Sequence, residues 1–321
     1  MNTTPPTIFI YACSYVFSTH SYDAECITQA LKKRMDIVCI VLYSFICVLG
    51  TVGNGLVIFV TGFRIKRTVK TVWVFTLATA DITFTFSLPL FIAHITLDYH
   101  GWDMCKLSSA ILFLYIFSRI FLLVVIGINR WVCVRYPVWA WNHQTPQRAA
   151  LVALGVCILS LAASSPYIYY NQTKPSPHNV TWTFPNNGHT QEQGRHTSHG
   201  LTISLFVLAF VIPFIIILAS YGAIVLRLRK SPFPQSAKPF RLFTAVSVVF
   251  FVCWLPFHLI SFFEIQGSET CGLQKVSFVS NDLIHCLAFS SSCLNPILYV
   301  FLGHNNKERW SLLSAMENSF H

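Results

Sequence analysis

The sequence is short of charge. Asp, Glu, Lys and Arg make up only 11% of its 321 residues, against about 25% in an ordinary soluble domain. A chain this poor in charge and 54% hydrophobic cannot keep a large surface in water, which excludes a soluble globular domain. Catalytic signatures are also lacking. There is no His-Glu-x-x-His run, no Gly-rich phosphate loop and no nucleophile motif, so the chain reads as a non-enzyme without a metal or cofactor. No internal repeat is present, whereas a transporter usually has two repeated halves meeting at mid-membrane. The first residues, "MNTTPPTIFIYACSYVFSTH", lack a basic segment followed by a clean apolar core. The first apolar span is therefore expected to act as the insertion signal.

What the chain has is seven apolar stretches, at about 36–63, 71–97, 105–134, 149–170, 200–226, 241–264 and 276–302, each near the ~20 residues that cross a bilayer. The expected fold class is all-α: a seven-transmembrane-helix bundle over 36–302. It lies between an N-terminal segment, 1–35, and a short amphipathic helix with a tail, 303–321. The segment of about 171–199, rich in Asn, His, Thr, Pro and Gly, is read as an irregular loop.

Basic residues in short loops set orientation. Arg64, Lys66, Arg67 and Lys70 follow span 1; Arg135 and Arg148 follow span 3. Arg227, Arg229, Lys230, Lys238 and Arg241 follow span 5, and Lys307 and Arg309 follow span 7. These lie on one side, expected to be cytoplasmic, and outweigh Lys32, Lys33 and Arg34 before span 1. The N-terminus is then extracellular in a multi-pass plasma-membrane protein. The net charge of +10 reads as topology rather than nucleic-acid binding, because no single soluble module collects it. The sequons at Asn2, Asn171 and Asn179 fall on the outer side and are candidate glycosylation sites. So do Cys13, Cys26, Cys105 and Cys271; four outer cysteines allow three full pairings, and the sequence does not choose. Most of the other seven of the 11 cysteines read as small packing residues.

Two charges sit inside the third apolar stretch. Arg119 and Arg130 are separated by about three helical turns and project from nearly one face. A charge there needs a partner or a purpose. Asp81 is the acid in the middle of spans 1 to 3 and is the expected partner of Arg119; the alternative is pocket water or backbone carbonyls. Asn54 between Gly53 and Gly55 suits a close helix contact with an interhelical hydrogen bond. Pro213, Pro256 and Pro296 interrupt spans 5, 6 and 7, as static bends or as hinges.

Taken together, "GNGLVI", "LATAD", "MCKLS" opening span 3, "NR" near its end, "CWLP" in span 6 and "NPILY" in span 7 resemble the rhodopsin-like family of G-protein-coupled receptors across essentially every span. "PVWAWNHQTP", "KPFRLFTAVSVVFFVCWLPFH", "LDYHGWDMCK" and "CLNPILYVFLG" narrow the resemblance to the chemoattractant group. Chemerin (chemokine-like) receptors are most similar, and the chemoattractant-type prostaglandin receptor is next. The resemblance implies an extracellular peptide or lipid ligand, a heterotrimeric G protein of the inhibitory class, and arrestin as a further partner. It assigns Asp81 to the acid that holds sodium in resting relatives and Arg130 to the arginine offered to the G protein. Ile120, Pro213 and Phe250 become a packing switch, Trp254 the toggle, and Tyr221 and Tyr299 the tyrosines that rearrange on activation, with Pro256, Asn295 and Pro296 further members of the activation switch. Relatives also pair an N-terminal cysteine with one before span 7, which makes Cys26–Cys271 the favoured bond.

The chain departs from that pattern at several places. Asn129 stands where an acid usually holds the inner arginine, and Arg119 stands in the sodium site. Cys157 replaces a tryptophan, and the second outer loop has no cysteine for Cys105. These departures keep a non-signalling scavenger reading open. A ligand pocket is expected among spans 3, 5, 6 and 7, lined by Phe113, Ile116, Leu205, Phe257, His258, His285 and Phe289; ordinary helix packing is the alternative for each. Leu205 occupies the position where prostaglandin and formyl-peptide relatives carry a basic carboxylate anchor. Lys106, Lys275 and Arg195 nearer the surface suit an acidic peptide end, or simple solvation.

Overall fold

The computed structural model describes residues 29–97, 102–170, 173–175, 181–183, 200–229, 238–266 and 271–302. The N-terminal segment with Asn2, Cys13 and Cys26, the loop positions Asn171 and Asn179, Arg195 and the C-terminal segment lie outside them. So do the side chains of Cys105, Lys106, Cys271 and Lys275.

Seven long helices correspond to the seven spans. Span 1 is α1, Gln29–Phe59, closed by a π-helical turn at Val60–Arg64. Spans 2 and 3 are α2, Val69–Leu97, and α3, Trp102–Arg135. A short α4, Pro137–His143, follows, and span 4 is α5, Pro146–Tyr170. Span 5, called α6, starts at residue 200, passes a π-helical turn at Val207–Val211 and continues as Ile212–Arg229. Spans 6 and 7 are α7, Lys238–Gln266, and α8, Cys271–Leu302. Helix starts follow local chemistry. Thr68 and Thr71 exchange backbone-to-hydroxyl bonds of 2.7 and 3.2 Å at the start of α2, a reciprocal cap. Thr145 accepts from the Arg148 N–H before Pro146 at the start of α5, where proline suits the first helical position.

Six described helices are long and apolar enough to cross a bilayer by length and composition. The seventh, α8, is diluted by Asn281, His285, Ser291, Ser292 and Asn295, and it turns all five into the bundle, where they are buried. α3 is the central rod: 61% of its apolar window is buried, against 28% for α1 and α5. It packs on α2, α5 and α6, while α8 packs on α1 and α7. The remaining apolar side chains of the peripheral helices, such as Val41, Phe45, Ile158 and Leu218, are exposed, as a lipid-facing surface requires.

Two expectations are corrected. The second outer loop is not wholly irregular: Thr173–Pro175 (β1) and Thr181–Thr183 (β2) pair antiparallel, with Lys174 opposite Trp182. β-branched and aromatic residues favour the pleated state, so the all-α bundle carries one small ribbon. Proline interrupts more helices than expected, since Pro89 lies within α2 and Pro166 within α5. Proline frees the carbonyl four residues earlier, and this fold supplies substitutes. The Ser165 hydroxyl donates to the Ala162 carbonyl at 2.8 Å, next to Pro166. Asn54 of α1 donates to the Ser292 carbonyl at 3.0 Å, the one freed by Pro296.

Candidate functional site: a buried ion pair under an aromatic stack

Asp81 on α2 and Arg119 on α3 form an ion pair between Oδ1 and Nη1, with both side chains fully buried. Tyr115, one turn before Arg119, donates from its hydroxyl to Asp81 Oδ1 at 3.3 Å. Asn295 of α8 donates through Nδ2 to Asp81 Oδ2 at 2.5 Å. The carboxylate thus ties three helices together. A buried charge is costly unless paired and hydrogen-bonded, and here both oxygens have partners. Arg119 Nε and Nη2 have no hydrogen-bond partner among the described residues. The guanidinium lies 6.0 Å from the Phe250 ring centroid, close enough for a cation–π contribution.

Phe250 begins a run of packed rings along α7. It stacks on Trp254 at 5.7 Å, and Trp254 meets Phe257 edge-on at 5.3 Å. Phe257 contacts His258 at 5.3 Å and His285 of α8 at 5.4 Å. Phe206 and Phe210 of α6 flank His258 at 5.6 and 5.1 Å. Trp254 Nε1 donates to Ser291 of α8 at 3.2 Å, which satisfies the indole that burial would otherwise strand. Phe289 is the junction toward α1 and α2, with Tyr43, Phe84 and Phe91 within 5.0–5.7 Å.

The expected pocket residues Phe257, His258, His285 and Phe289 are therefore brought together. Phe113 is placed beside α5, stacked on Tyr167 at 5.0 Å; the Tyr167 hydroxyl meets Ser204 of α6 at 2.8 Å. Ile116 and Leu205 are buried. Ile120 and Phe250 are both buried in the one hydrophobic core, and Pro213 and Pro296 are buried too. Pro256 and Asn129 are half-buried. The Tyr221 and Tyr299 hydroxyls are buried with no hydrogen-bond partner among the described residues.

The far end of α3 holds Arg130. Its Cζ stands 4.7 Å from the centroid of the Phe243 ring on α7, and its Nε is buried with no hydrogen-bond partner among the described residues. Several members of this constellation went unnoticed in the sequence. Tyr115 lies four residues before Arg119, a spacing that shares a helix face. Phe84 and Phe91 are seven apart, again one face. Ser291 and Phe243 left no such signal.

The seven-helix order, the buried acid on α2 and the ring run on α7 agree with the comparison to known proteins. Residues 53–299 match the model of the 7 transmembrane receptor (rhodopsin family). The chain belongs to the rhodopsin family of G-protein-coupled receptors. Its relatives are chemoattractant receptors. It is 34% identical to the Chemerin-like receptor 1 of Rattus norvegicus, over 94% of this chain and 85% of the relative. It is also 34% identical to the C3a anaphylatoxin chemotactic receptor of Danio rerio, over 98% and 92%. Identity to the fMet-Leu-Phe receptor of Pongo pygmaeus is 35%, over 89% and 86%. As a rhodopsin-family receptor it is a multi-pass membrane protein, and the family consists of receptors rather than enzymes.

Proposed function

We propose that this receptor takes an extracellular chemoattractant, a peptide or a lipid mediator, and signals through inhibitory-class G proteins. The observation that carries the reading is the continuous side-chain path from His258 and His285 through Phe257, Trp254 and Phe250 to Arg119 and Asp81. A ligand that displaces the first rings has a packed route into the ion pair joining α2, α3 and α8. Packed interiors switch between discrete arrangements rather than deforming smoothly. In this reading Arg130 and the basic loops face the G protein, and the N-terminus with its glycans lies outside.

The test is nucleotide exchange on inhibitory-class G proteins, in membranes containing the receptor, with chemerin, C3a, fMet-Leu-Phe and prostaglandins as probes. One probe is expected to raise exchange, and Arg130→Ala to abolish the rise with surface expression intact. Unchanged exchange in that variant would remove the assignment of Arg130. Asn129, in place of an acid, favours a second reading, a scavenger that takes up ligand without signalling. Uptake without exchange at saturating probe would establish it.

A further inference from the structure

Among the described residues Arg130 has no ion pair with an acid. Between Asp103 and Glu264 the sequence holds a single acid, Glu192. Glu192 falls in the sequence between α5 and α6. The three connections at the Arg130 end, 65–68, 136–145 and 230–237, contain no Asp or Glu, and beyond α8 there are only Glu308 and Glu317. Asp103 is at the opposite end of α3 from Arg130, and α5, α6 and the first four turns of α7 contain no Asp or Glu.

A ring is available instead. Phe243 is fully buried and presents itself to Arg130 Cζ at 4.7 Å. Leu242 and Val246 beside it are buried as well, so the ring has little freedom to turn away. Its backbone carbonyl accepts from Ser247 at 2.9 Å, within a regular helix. The face of an aromatic ring attracts a cation, more strongly as the contact is withdrawn from water. Arg130 is half-buried, with its Nε withdrawn from solvent, which strengthens the contact over a fully exposed one.

We propose that Phe243 is the positioning residue of Arg130. Its ring face holds the guanidinium against α7 by a cation–π contact and does the work that a carboxylate cannot do in this chain. Separation of α7 from α3 breaks the contact and releases Arg130. The inference rests on the proposed role of Arg130 toward the G protein. It adds a latch of known chemistry: insensitive to carboxylate protonation, tied to ring electron density, and weaker than a charge-assisted bond.

The test varies electron density at nearly constant volume. Full-length receptor in nanodiscs carries phenylalanine, 4-fluoro-, 3,5-difluoro- or 3,4,5-trifluorophenylalanine at position 243, and ligand-free exchange on an inhibitory-class G protein is measured. Exchange is expected to rise stepwise with fluorination, roughly tenfold over the series. Phe243→Leu is expected to match the trifluoro ring, and Phe243→Trp to restore low basal exchange. A flat series, with Arg130→Ala still abolishing exchange, overturns the latch and leaves the coupling role standing. Exchange that survives Arg130→Ala overturns the coupling role instead. The latch is then decided by the 19F resonance of the 4-fluoro ring. Displacement of that line by Arg130→Gln supports the contact, and an unmoved line overturns it.

Discussion

At the residue scale, the Asp81–Arg119 pair is the clearest case of a sequence forcing a contact. Arg119 lies within a long apolar run and Asp81 is the acid nearest in depth on a neighbouring span, so the pair was readable before any geometry. Tyr115 and Asn295, its other partners, depend on how α3 and α8 are rotated, and composition does not give rotation. Removing one member of a buried pair costs about 3–5 kcal/mol, because the other charge is stranded. Asp81→Asn is expected to lower the melting temperature by that equivalent. Adding Arg119→Ser should recover part of the loss. Thermal unfolding of the two single variants and the double variant measures the coupling, and purely additive losses would refute it. The tethered guanidinium also occupies the place where relatives are expected to hold sodium. Ligand affinity should therefore be equal in sodium chloride and in N-methylglucamine chloride at matched ionic strength; a sodium-specific shift would contradict the substitution.

At the element scale, the α1–α8 joint shows how a proline is accommodated. Pro296 leaves the Ser292 carbonyl without its helical donor, and Asn54 provides one from the adjacent helix. That reach needs close backbones. A Cβ on Gly53 would stand 2.9 Å from Pro296 Cγ, so Gly53→Ala must push α1 from α8. The expected cost is ~1–3 kcal/mol, read as a lower melting temperature in detergent, and Pro296→Ala in the same chain should relieve most of it. Asn54→Ala should cost about 1–3 kcal/mol by stranding a buried carbonyl. The loss should shrink with Pro296→Ala, because alanine returns the N–H; an undiminished loss would show that the bond does not matter. The joint was half legible. "GNG" and "NP" each signalled a close or bent helix, but their meeting did not appear in either motif. Helix α4 escaped notice although Pro137 sits at its first turn. Its end is held by Arg148, whose Nη1 donates to the His143 carbonyl at 2.9 Å across the short turn into α5.

At the scale of the whole molecule, the order of helices was legible because each span is long and apolar. What the sequence left open was which face of α8 turns inward, since its polar residues Asn281, His285, Ser291, Ser292 and Asn295 are the buried ones and Leu283, Leu287 and Ile297 face outward, the reverse of a helix on a water-facing surface. The direction of insertion remains a matter of charge. Seven crossings put residues 65–68 and 136–145 and the ends of α6, α7 and α8 at Arg229, Lys238 and Leu302 on one side. That side carries Arg64, Lys66, Arg67, Arg227, Arg229, Lys230 and Lys238 close to the helix ends. The other side has Lys32, Lys33 and Arg34 as its only basic cluster. Retention of Lys and Arg in short cytoplasmic loops governs orientation, so the three clustered residues should yield to the larger distributed set. An N-terminal epitope should be stained on intact cells and a C-terminal one only after permeabilisation. Glycosidase should shift the mobility of the chain, with the shift shrinking in Asn2→Gln, Asn171→Gln or Asn179→Gln. Moving Arg64, Lys66 and Arg67 to Gln should produce a fraction of inverted molecules, stained at the C-terminus without permeabilisation. If the unaltered chain gave that inverted pattern, Arg130 and Phe243 would face the outside, and neither could serve a G protein.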